Sequence, residues 1–145
     1  MNWKNEAMDR LRQYDAMRLA VANIPQEIKR LEAAATAIRA ARTDGAAILP
    51  GGSRREEAIL DNMMSRQELR WRLEQAESWL KCMDRALGAL SGEEKLVLQR
   101  FYMCPEKGSV ERLCSELGLE SSSVYRKRDK ALRRFTVALY GSTGD

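Results

Sequence analysis

Apolar side chains recur at Met17, Val21, Ile24, Ile28, Leu31, Ala35 and Ile38, in steps that alternate four and three. That spacing marks the seam of a coiled coil or of a long helical hairpin. The helical pattern extends from about Trp3 to Arg42. Pro25 sits inside it, has no amide proton and clashes with the preceding turn, so a kink or restart near Asn23–Pro25 is expected. A second seam follows the same rule through Leu69, Leu73, Ala76, Leu80, Met83, Leu87 and Leu90. Ile59 and Met63 begin a similar seam, which the six-residue step to Leu69 interrupts. Between the two patterns, residues 43–55 carry Gly45, Pro50, Gly51 and Gly52 and read as a loop. Two amphipathic helices joined by a loop fold back antiparallel, because neither can bury its stripe alone in water.

The pattern changes at Leu90. Ser91 followed by Glu94 has the form of a capping box, and the helix it opens carries Leu96, Val97, Phe101 and Tyr102. Met103–Gly108 reads as a loop. Ser109 is placed to cap a short helix with Val110, Leu113, Cys114 and Leu117, which Gly118 ends. A last helix follows Glu120-Ser121-Ser122-Ser123. Its apolar positions are Val124, Ala131, Leu132, Phe135 and Leu139, and Gly141 stops it.

The division that follows is residues 1–88 as a helical hairpin, 89–141 as a second domain and 142–145 as a frayed tail. Composition agrees with an all-α fold, being rich in Ala, Leu, Arg and Glu with three prolines and 32% charged residues. The net charge of +4 does not by itself name a partner. Its distribution says more: Arg126, Lys127, Arg128, Lys130, Arg133 and Arg134 stand against Asp129 alone within residues 124–136. On charge alone that run is an ordinary solvated helix face.

The candidate chemistry is sparse. With no histidine, a Ser-His-Asp or Cys-His set is impossible in one chain. The acid pairs Glu56/Glu57 and Glu93/Glu94 are adjacent and point to different sides of a helix. The chain is therefore read as a non-enzyme that needs no cofactor. Cys82, Cys104 and Cys114 match no zinc spacing and read as reduced thiols, with no metal expected. No apolar run is long enough for a membrane helix and no signal peptide is visible, so a cytoplasmic protein without a membrane partner is expected. Trp71 and Trp79 read as hairpin core or subunit contacts, and Trp3 as a partner contact.

Short helix, glycine turn, serine-rich helix start and basic helix, over Ser109–Leu132, is the order of a helix-turn-helix. Residues 90–102, 109–118 and 121–132 resemble the opening, supporting and recognition helices of region 4 of bacterial sigma factors. A long helical hairpin ahead of such a module is similar to phage and prophage transcription regulators of the RinA and ArpU type. The resemblance implies a DNA-binding activator of late phage genes that acts with RNA polymerase. Carried over by position, Ser121, Ser122, Tyr125 and Arg126 would meet base edges, with Arg126 suited to a bidentate guanine contact. Ser123, Lys127, Arg128 and Lys130 would lie nearer phosphates.

Three positions depart from that pattern. Glu120 stands where relatives carry a Ser or Thr cap, which shifts the cap to Ser121. Lys127 stands where relatives carry Ile or Leu, and its stem can cover apolar surface. Cys114 replaces a small Ala. The expected partners are double-stranded DNA, RNA polymerase and further copies of the chain joined through the hairpin. Two other readings stand beside this one. One is a coiled-coil adaptor that binds a polymerase subunit or a phage assembly component, and the other is a small phage packaging subunit.

Overall fold

The two heptad patterns become two long helices. In the computed structural model, which describes residues 1–43 and 52–144, α1 spans Trp3–Thr43 and α2 spans Gly52–Gly88. They pack antiparallel, and the described residues contain no strand. Helix α1 runs on through Pro25, so the expected restart does not occur. The seam explains this: Ile24 is half-buried and Ile28 buried on either side of the proline. Tertiary burial there outweighs the roughly 3 kcal/mol local cost of an interior proline. Of the loop expected over 43–55, residues 44–51 lie outside the described residues. Thr43 belongs to α1, and Gly52–Arg55 already belong to α2, four residues ahead of the expected start.

Every seam position of α1 from Met17 to Ile38 is buried or half-buried, as is every one of the second seam from Leu69 in α2 to Leu90 just beyond it. The interruption after Ile59 has a different cause from missing structure. The seam continues through Asn62 and Arg66, which keep the four-three spacing between Ile59 and Leu69. Met63 lies on the surface instead, 40% exposed. Buried Asn62 donates its side-chain amide to the Leu31 carbonyl at 2.8 Å. Arg66 Nε donates to Asn62 Oδ1 at 2.8 Å, so both ends of the amide are satisfied.

After α2, a short α3 (Gly92–Leu98) passes into one π-helical turn (Gln99–Met103), then α4 (Ser109–Leu117) and α5 (Ser121–Tyr140). Ser91 caps α3 as expected. Its Oγ accepts from the Glu94 amide at 3.2 Å, and Glu94 Oε1 accepts from the Ser91 amide at 3.1 Å. The other two predicted caps differ. Gly108, left-handed at φ 75°, stands at the N-cap of α4. Ser109 is already helical, and its hydroxyl donates to the Glu106 carbonyl at 2.6 Å to close the preceding turn. Glu120 holds the N-cap position of α5 without a side-chain cap bond, so the cap does not shift to Ser121.

The chain divides into two compact units. One is Leu19–Glu77, the middle of the hairpin; the other joins Met1–Arg18 to Ser78–Asp145. The second unit thus takes in both residues 89–141 and stretches that the heptad pattern assigns to the hairpin. Its main core gathers Ala7 and Leu11 of α1, Met83 and Ala86 of α2, Leu98, and Ala131, Leu132 and Phe135 of α5. Trp79 packs against this core from the side. A smaller cluster of Val97, Leu113 and Val124 joins α3, α4 and α5.

Of the expected frayed tail, residues 142–144 are described and Asp145 lies outside the described residues. Thr143 is buried, and Gly144 (φ 83°) lies so close to the start of the chain that a Cβ there would collide with the Met1 carbonyl oxygen. Trp3, read from sequence as a partner contact, stacks on Tyr140 at 4.7 Å between ring centroids.

Candidate nucleic-acid interface

The small cluster sets the geometry of the helix-turn-helix segment. Leu113 and Val124 are fully buried against Val97, so α4 and α5 are held on α3 through their apolar faces. Gly118 ends α4 at φ 64°, a left-handed conformation that costs an L side chain about 1 kcal/mol or more. Leu119 and Glu120 complete the turn, and α5 begins at Ser121. With Val124, Ala131, Leu132 and Phe135 committed to the core, helical periodicity leaves a fixed outer face on α5.

The four residues assigned to base edges lie on that face. Ser121, Ser122, Tyr125 and Arg126 are all exposed. Tyr125 is 41% exposed and meets Phe101 edge-on at 5.8 Å between centroids, so it is anchored on one side only. Arg126 Nε reaches back to the Ser122 carbonyl at 3.4 Å. No side chain caps the first amides of α5, which leaves donors and a partial positive charge at that end.

The four residues assigned to phosphates divide. Lys130 is exposed and Ser123 half-buried. Lys127 is largely covered, and its ammonium pairs with Glu93 of α3. Its stem lies over the protein as the sequence suggests, but the charge has a partner within the chain. Arg128 is held more firmly. Its guanidinium carbon lies 5.2 Å from the Phe101 ring centre and 5.1 Å from that of Tyr125, and Asp129 binds it at 2.9 Å. A guanidinium between two aromatic faces is a good platform but a poor free charge. Arg128 therefore positions Tyr125, and contact with a phosphate would require it to leave Asp129.

Arg133 is an exposed cation that the base and phosphate assignments omit. Arg126, Lys130 and Arg133 follow at i, i+4 and i+7, one line along the helix, and none makes an ion pair among the described residues. That spacing was the available signal. Arg134, one residue on, turns the other way. It pairs with buried Glu94 and reaches the Ala89 carbonyl at 3.4 Å. Glu94 thereby serves both the α3 cap and the middle of α5.

Two contacts within the same unit fix the π-turn end and the start of α1. Tyr14 donates to Asp84 at 2.6 Å, and burial together with that carboxylate pushes its phenol up to about 12. Cys104 donates its thiol to Asp15 at 2.8 Å, which pushes the thiol above its ordinary value. All three cysteines are free.

Among the described residues no helix is long and apolar enough to cross a membrane, and no cluster of acids and cysteines has the form of a metal site. No protein-family model, curated protein or solved structure matches the chain.

Proposed function

We propose that α4 and α5 form a helix-turn-helix that binds double-stranded DNA in a sequence-specific manner, with the N-terminal part of α5 in the major groove. The observation that carries this reading is the outer face of α5. Small Ser121 and Ser122 stand at its start, Tyr125 and Arg126 follow, and the cations Lys130 and Arg133, unpaired among the described residues, continue the same side. Small polar residues allow close approach of the helix end to base edges, and the later cations bracket the backbone. The resemblance to sigma region 4 and to RinA- and ArpU-type regulators adds the biological setting: a transcription regulator of phage or prophage type, acting with RNA polymerase in the cytoplasm of its host. Two copies of the chain would present two recognition helices to paired half-sites.

Selection of bound duplexes from a random library, repeated across salt concentrations, tests this reading. The expected result is an enriched motif whose affinity falls as salt rises. Arg126→Ala should then lower preference for that motif by about 1–3 kcal/mol, while Lys130→Ala should weaken all sequences alike and reduce the salt slope by about one. A library without enrichment overturns sequence-specific binding.

One observation favours a second reading, in which the C-terminal unit docks on protein. Lys127, Arg128 and Arg134 are engaged by Glu93, Asp129 and Glu94, which reduces the free positive charge of the helix by half. An adaptor of this kind would show no motif, and Arg126→Ala would change no DNA preference, there being none to lose.

A further inference from the structure

Three of the six cations on α5 are held by acids, and the three are not held alike. Arg134 pairs with Glu94, whose carboxylate is 6% exposed and also closes the α3 cap, and it reaches the Ala89 carbonyl besides. Taking that cation away leaves a buried charge, so the pair is part of the fold. Arg128 has Asp129 together with the rings of Phe101 and Tyr125. Without Asp129 its guanidinium would still lie between two aromatic faces. Lys127 has one partner among the described residues, Glu93, whose carboxylate is 59% exposed. Such a solvated pair favours the closed state by about fivefold or less. Lys127 is therefore the held cation that a single substitution sets free.

Its place on the helix gives that release an effect. Ser123, Lys127 and Arg134 follow at i, i+4 and i+11, on the flank of α5 that meets the acids of α3. The next flank round carries the free cations Arg126, Lys130 and Arg133. The lysine ammonium is a compact charge on a flexible four-carbon stem, the form in which lysine meets phosphate oxygens. A cation already neutralised by a carboxylate has no excess charge to exchange for the counterions condensed on DNA.

We propose that Glu93 withholds Lys127 from the DNA backbone, so that α5 meets DNA with three free cations rather than four. The inference rests on the reading of α5 as the DNA-contacting helix. It adds to that reading a residue of α3 that lowers sequence-independent affinity without itself touching DNA. Non-cognate sequence, which any genome offers in great excess, then holds the protein less.

Fluorescence anisotropy with a labelled duplex of random sequence, from roughly 50 to 200 mM salt, tests the proposal. Glu93→Gln should bind the duplex roughly two- to fivefold more tightly and steepen the salt slope by about one. Loss of any acid raises affinity for DNA through net charge, so the deciding comparison is a cycle with Lys127→Gln. The expected result is that E93Q/K127Q binds no more tightly than K127Q. A gain from E93Q that persists in the K127Q background overturns the proposal, because general charge then accounts for it. The absence of a gain in either background overturns it as well. Circular dichroism should show the parent's helix content in each variant, since Gln keeps the length of the Glu93 side chain at an exposed position. Lys130→Gln separates the proposal from the reading beneath it. A shallower slope in K130Q with no gain in E93Q removes the withholding and keeps α5 on DNA, whereas slopes unchanged in both remove α5 from DNA altogether. A gain through Lys127 in a protein that selects no motif keeps the withholding and removes sequence specificity.

Discussion

Helices α1 and α2 run through both compact units, yet the two units are stabilised differently. In the unit formed by Met1–Arg18 and Ser78–Asp145, Leu11, Met83, Leu98, Leu113, Val124 and Phe135 are fully enclosed. Among the described residues of Leu19–Glu77 the buried apolar ones are only Ile28, Ala35 and Ala76, and a polar residue, Asn62, shares the seam. The difference is one of layers. Two helices can cover each other along a line, whereas α3, α4 and α5 close over a volume. The middle of the hairpin therefore leaves Leu19, Leu60, Met64 and Trp71 at its surface.

Substitutions test this difference in enclosure. The largest effect is expected from Phe135→Ala, which opens a cavity in an enclosed core and should cost about 3–5 kcal/mol. Ile28→Ala, in a seam that can collapse toward solvent, should cost about 2 kcal/mol, the low end for such truncations. Urea denaturation of both variants, followed by circular dichroism, checks the ratio. Equal losses would mean that the hairpin is as enclosed as the other unit.

A smaller effect is expected from Arg134→Ala. It leaves the buried Glu94 carboxylate without its cation and should cost about 1–3 kcal/mol. The loss should shrink in E94Q/R134A, where no buried charge remains, and a double-mutant cycle measures the coupling.

The smallest effect is expected at Tyr14 and depends on pH. Tyr14 has its phenol raised from 10.0 to about 12, so the folded state holds that proton more tightly than the unfolded chain does. The stabilisation is complete below about pH 10 and is lost as pH rises toward 12. Tyr14→Phe should therefore be less stable than the parent at neutral pH, and the gap should close between pH 10 and 12. A gap constant with pH would show that the Asp84 hydrogen bond does not set the shift.

The seams, the α3 capping box and the Gly118 turn were all legible in sequence, because each depends on neighbours within one or two turns. The continuation of the second seam through Asn62 was not, since a polar residue in a heptad position becomes intelligible only when its partner, the Leu31 carbonyl, is known. The outer face of α5 was legible for the same local reason as the seams: its buried residues repeat with the helix, and the exposed ones are what remain. What each cation on it does was hidden. Lys127 finds Glu93 thirty-four positions away, and Arg128 finds Phe101 across the turn of another helix. A basic run shows how much charge is present, while the fold decides how much of it is free.

The amide of Asn62 has a consequence for how the hairpin finds its pairing. A seam that repeats every seven residues is nearly indifferent to sliding by one repeat, because apolar side chains would again meet apolar side chains. Asn62 removes that degeneracy. In the pairing observed, its NH2 group meets the Leu31 carbonyl and its oxygen meets Arg66. A slipped hairpin would bury the same amide against aliphatic groups, at a cost of about 1–3 kcal/mol. One polar side chain thus acts as an index mark on an otherwise repetitive scale: Asn62→Leu should yield a hairpin at least as resistant to heat, but one that samples neighbouring alignments.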